Sequence, residues 1–122
     1  MKQPMLAFQS ILLASEHPKK LSEFYKKVFN VDPEMEDGDW TGYNVGGGHV
    51  AIGPHDKVKG KSSNPERIMF NLTTEDVKGE FERIKGYGTK VVADPYEMGG
   101  GMWIATLEDP DGNYFQLTTP WK

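Results

Sequence analysis

The side chains best suited to proton transfer or metal binding in this chain are three histidines, His17, His49 and His55. No Ser–His or His–carboxylate pairing is readable around them, so an activated nucleophile of the usual kind is not indicated. His17 stands at a helix-capping position before Pro18 and is expected in solvent. His49 opens a strand and alternates away from Val50 and Ile52, while His55 falls in a polar connecting stretch. Cysteine is absent, which removes thiolate nucleophiles, thiolate metal sites and disulfides together. The triglycines Gly46-Gly47-Gly48 and Gly99-Gly100-Gly101 are not phosphate loops, because neither opens a helix; each reads as a hairpin or lid segment. What is left is contact chemistry. Trp40, Tyr43 and Trp103 are candidates for stacking on a flat ligand.

These residues need elements to hold them. Residues 6–15 read as an apolar strand bounded by prolines. Pro18 suits the first turn of a helix, where its missing N–H costs nothing. Leu21, Phe24, Tyr25 and Val28 follow at spacings of three and four, one apolar stripe, and Asn30 with Asp32-Pro33 ends it. Residues 40–45 and 49–52 are short strands joined by the first triglycine. A second set begins with a strand at 67–72. Thr74 is the expected helix N-cap, Val77, Phe81 and Ile84 form the buried stripe, and Gly86 or Gly88 stops the helix. Strands are expected at 89–93, 101–108 and 114–118. The last two are joined by Asp109-Pro110-Asp111-Gly112-Asn113, whose glycine and asparagine suit the positive φ of a tight turn.

Composition narrows the class. With 122 residues, 37% hydrophobic and 26% charged, the chain describes one ordinary globular domain. A net charge of −4 without charge runs argues against nucleic acid as a partner. No apolar stretch approaches the ~18 residues that would span a bilayer. The amino terminus lacks the apolar core of a signal peptide, so the cytoplasm is the expected location.

The chain also repeats itself. Ile11, Leu13, Glu23 and Phe24 recur 57 positions later as Ile68, Phe70, Glu80 and Phe81, which makes Phe24 and Phe81 the expected equivalent anchors of two helices. Each copy is a βαβββ module, and two such units pack to bury a common core. The modules cover about 5–54 and 66–120, with a linker at about 55–65, in a single domain spanning 1–122.

Phe24-Tyr25 with Phe29-Asn30, the Asp109-Pro110-Asp111-Gly112-Asn113 turn, and the second helix followed by Thr89-Lys90-Val91-Val92 together resemble the vicinal oxygen chelate superfamily. This is the glyoxalase, bleomycin-resistance and extradiol-dioxygenase group. The resemblance covers essentially the whole chain and implies an α+β fold: two βαβββ modules forming a curled mixed β-sheet cup with helices outside. Family metal ligands sit at one position in the first and one in the last strand of each module. Carried over, these are Ser10, Arg67, Ile52 and Gln116, where the metal enzymes mostly have His or Glu.

Serine and isoleucine are poor ligands, a neutral glutamine is a weak one, and arginine is none at neutral pH. An arginine ~4 Å from a dication would oppose it by about 8 kcal/mol at an effective dielectric of 20. No metal and no cofactor are therefore expected. Arg67 instead suits a bidentate pair with a ligand carboxylate or phosphate, and Gln116 a hydrogen bond to ligand or to Ser10. Strand alternation adds Leu12, Val50, Met69, Asn71 and Tyr114 to the same concave face. The expectation is a metal-free glyoxalase/bleomycin-resistance-like protein, a homodimer by resemblance, holding a small anionic or aromatic molecule in the cup. A metal-dependent lyase, isomerase or dioxygenase of the same superfamily, and a non-catalytic interaction module, are the alternatives.

Overall fold

The computed structural model describes residues 3–121. The chain divides into two units, one ending at Lys59 and the other beginning at Gly60. In the first, strand β1 (Ser10–Ala14) leads into helix α1 (Pro18–Phe29), followed by β2 (Met35–Asp37), β3 (Trp40–Val45) and β4 (Gly48–Gly53). In the second, β5 (Phe70–Thr73) leads into α2 (Val77–Lys85), followed by β6 (Lys90–Gly99), β7 (Met102–Glu108) and β8 (Tyr114–Thr118). The sheets have the same order, β1-β4-β3-β2 and β5-β8-β7-β6. First and last strands run parallel and the other pairs antiparallel. Each module is therefore βαβββ with a mixed sheet, as the repeat implies.

Each helix covers one face of its own sheet. Leu21, Tyr25 and Val28 of α1 are buried with Tyr43, Val50 and Ile52. Tyr25 stacks on Phe29 at 5.2 Å, and Phe29 meets Tyr43 edge-on at 5.5 Å. In the second unit Val77, Phe81 and Ile84 of α2 are buried, as are Ala105, Leu107, Phe115 and Leu117 of the sheet. Burying side chains of this size stabilises by roughly 1.5–3 kcal/mol each. On α2, Arg83 holds Glu80 at 2.8 Å, a bond that pushes its guanidinium pKa still higher.

The strand-to-helix joint is built identically twice. The Ser15 amide donates to Gly53 O at 3.0 Å, and the Thr74 amide to Thr118 O at 3.0 Å. Ser15 Oγ then accepts from the His17 amide at 2.9 Å, and Thr74 Oγ1 from the Asp76 amide at 3.1 Å. The N-caps are thus His17 and Asp76; Thr74, expected to cap α2, stands two residues too early. Asp76 does the capping, accepting from the Gly79 amide at 3.0 Å.

Matched by these bonds, the copies are not offset by a constant 57. Ser15 and Thr74 lie 59 positions apart, whereas Tyr25 and Phe81 lie 56 apart, because α1 is the longer helix. The anchor equivalent to Phe81 is therefore Tyr25, fully buried, and not the half-buried Phe24.

Other boundaries also move. β1 starts only at Ser10, leaving Leu6 and Phe8 exposed ahead of it. β5 starts at Phe70 and not at 67. β6 runs on to Gly99 through register irregularities around Pro95, tolerable because β6 is an edge strand. The turn after it needs Gly99, Gly100 and Gly101 all at positive φ. Among the described residues no helix is long and apolar enough to cross a membrane.

Candidate functional site

The ladders fix which side chains share the sheet face turned away from each helix, here the far face. In the first unit Leu12 pairs with Ala51, Ala51 with Gly42, and Gly42 with Met35. Ser10, beside His49, shares that face. His49 Nε2 lies 3.5 Å from the Glu34 carboxylate. Trp40 also stands there, its indole lying across the bare backbone of Gly53, where any Cβ would collide with the ring. The far face of the first unit is thus a shallow apolar floor, with Leu12, Met35 and Trp40 partly exposed above it.

The far face of the second unit carries a polar row. Asn71 pairs with Gln116, and Gln116 with Thr106, making one cross-strand row. Gln116 Nε2 donates to Thr106 Oγ1 at 3.0 Å, which leaves the glutamine carbonyl and the threonine proton for another partner. Tyr114 stands in the next row beside Glu108. Thr106 and Glu108 were not singled out in the sequence. Their signal was the alternation Ile104, Thr106, Glu108, which becomes readable only once β7 is registered against β8.

Five expected site residues lie elsewhere. Ile52 is fully buried on the helix-covered face with Val50, so both leave the concave set. The mate of Gln116 is Ala51, because the last strands superpose with Gly53 on Thr118, 65 positions apart. A one-residue slip in the match had turned the strand over. Tyr43 is buried beneath α1, its hydroxyl 2.7 Å from Ser22 Oγ, and is not free to stack on a ligand from the far face. Trp103 lies on the helix side, with Lys78 Nζ 3.9 Å from its ring centroid. Arg67 sits in an exposed turn closed by its amide to Asn64 O at 3.1 Å, ahead of β5. By the 59-residue joint offset, the mate of Ser10 is Met69, which is partly exposed just before β5.

The positions at which the superfamily keeps its metal therefore hold Ser10, Ala51, Met69 and Gln116. One hydroxyl, one methyl, one thioether and one neutral amide do not fit a catalytic dication, which takes imidazole and carboxylate. Among the described residues no three His, Cys, Asp or Glu side chains are placed so that they could hold one metal ion. No chemistry through a metal is derived from these residues.

Two βαβββ units with a parallel first-to-last strand pair define a glyoxalase-like α+β protein of the vicinal oxygen chelate superfamily. The profile of the glyoxalase-like domain matches residues 10–118, and the chain belongs to that family. No curated protein matches it. Among solved structures it is similar to the genomically encoded fosfomycin resistance protein FosX from Listeria monocytogenes, with a TM-score of 0.75 at 20% identity, covering 97% of this chain and 96% of that one. A FosX variant complexed with Mn(II) and 1S,2S-dihydroxypropylphosphonic acid matches with a TM-score of 0.73 at 21% identity, covering 97% and 93%. TioX from Micromonospora sp. ML1 matches with a TM-score of 0.71 at 17% identity, covering 95% and 98%. At these identities the likeness establishes the fold.

Arg67 carries a simple expectation. It is exposed and has no ion pair among the described residues, so Arg67→Ala should shift the melting temperature by less than about 2 °C. A larger drop in a thermal scan would make it structural.

Proposed function

We propose that this protein is a glyoxalase-like binding protein that holds a small organic molecule without a resident metal. The carrying observation is Gln116, a neutral amide at a position where metal enzymes of the superfamily keep an imidazole or carboxylate, flanked in its cross-strand row by Asn71 and Thr106. Such a row recognises polar atoms of a ligand and cannot replace the water around a dication. Within the first unit, taken by itself, the Trp40 indole over Gly53 offers a platform that suits a flat ring. A FosX variant with the same fold has been captured with Mn(II) and a small phosphonic acid, which supports a small organic ligand here, though not the absence of a metal. Sequestration requires no activated nucleophile. Each chain forms one glyoxalase-like domain and pairs as a homodimer, in keeping with the resemblance.

The test uses 1-anilinonaphthalene-8-sulfonate, a flat anion, followed by fluorescence with and without EDTA, beside elemental analysis of the purified protein. Saturable binding that ignores EDTA, and is lost in Trp40→Ala, is expected. Gly53→Ala should weaken binding nearly as much, because its new methyl displaces the indole. Stoichiometric metal together with EDTA-sensitive binding would overturn the metal-free reading. Undiminished binding in both variants would remove the platform.

A further inference from the structure

We infer that the groove between α1 and the β2–β3 hairpin is a second binding site, for a small organic cation carrying a primary ammonium group. It lies wholly within the first unit, beside the helix, and is independent of the far-face reading. The groove encloses about 330 Å³, within the range of small-molecule sites. Its helix wall is built at helical spacing by Lys19, Ser22, Glu23 and Lys26, and Glu36 and Thr41 stand opposite.

The floor consists of three hydroxyls whose protons can be counted. Tyr43 Oη donates to the Ser22 carbonyl at 3.1 Å, which commits its only proton. The 2.7 Å contact between Ser22 Oγ and Tyr43 Oη must then use the serine proton. The 2.8 Å contact between Thr41 Oγ1 and Ser22 Oγ is left to the threonine proton. All three donors are consumed inside the floor. Thr41, the partly exposed member, turns only lone pairs toward the groove.

The charges above the floor agree with it. Lys19 is answered by Asp39 at 3.8 Å and Lys26 by Asp32 at 3.6 Å. Glu23 and Glu36 line the groove from opposite walls, and neither makes a side-chain ion pair or hydrogen bond among the described residues. The groove therefore offers acceptors and two uncompensated negative charges, an arrangement that repels carboxylates and phosphates. An ammonium group has three donors and no acceptor, which matches a groove lined by the Thr41 lone pairs and two carboxylates.

The experiment is an amide chemical-shift titration of the full chain with 1,4-diaminobutane at constant ionic strength, with sodium acetate as the anion control. Saturable shifts at Ser22, Glu36 and Thr41, and none with acetate, are expected. Glu36→Gln, on an exposed strand residue, should weaken binding ~tenfold, and Thr41→Val should weaken it too. Shifts that never saturate or spread equally to exposed acids such as Glu66 and Glu97, unchanged affinity in Glu36→Gln, or acetate binding would each overturn the inference.

Discussion

Phe81→Ala and Tyr25→Ala should each lower the unfolding free energy by ~3–5 kcal/mol, whereas Phe24→Ala should lower it by about 1–2 kcal/mol. The ranking follows from burial. Phe81 is 2% exposed and Tyr25 is fully covered, so truncation at either leaves a cavity that neighbouring strands cannot collapse into. Phe24 touches Tyr25 edge-on at 5.1 Å but keeps one side toward solvent, and its loss exposes little new surface. Urea unfolding of the three variants reads the difference directly. A larger loss for Phe24 than for Tyr25 would refute the 56-residue correspondence of the two helices.

The second large effect is at Asp109. Its carboxylate is buried at 3% exposure, and Oδ1 accepts from the amides of Asp111 at 2.8 Å and Asn113 at 3.0 Å. Oδ2 accepts from Asn113 Nδ2 at 2.9 Å. Asp109→Ala leaves these donors unpaired and should destabilise by roughly 2–4 kcal/mol. Asp109→Asn keeps one acceptor but sets an amide N–H₂ against that of Asn113, so about half the loss should persist. Denaturant midpoints of the two variants decide it. An unchanged midpoint in Asp109→Ala would mean that the backbone bonds hold the turn alone.

That turn also measures how far the sequence could be read. Its position and its glycine were legible, since Gly112 does take a positive φ. The role of Asn113 was not, because it acts through its side-chain amide and not through a left-handed backbone. The same division holds along the chain. Apolar stripes at helical spacing located both helices, and the repeat located both sheets.

Strand faces were harder, because a period of two gives no warning of a one-residue slip. Matching the glycine before each last strand put Ile52 opposite Gln116, whereas the hydrogen bonds put Ala51 there. Met35, Glu36 and Asp37 form β2 without any apolar alternation, their strand state imposed by pairing with β3. Tyr43 and Trp103 were read as ligand-stacking aromatics because composition cannot tell which side of a sheet a ring occupies.

Neither sheet borrows a strand from the other half of the chain. During synthesis the order of events follows from that fact. All four strands of the first sheet exist once Gly53 has left the ribosome, and its joint can close before β5 has been made. Early segments generally begin folding during synthesis, when exposed strand edges are most prone to mispairing. Here β4 is supplied before the corresponding strands of the second copy appear, so the growing chain meets its correct partner first.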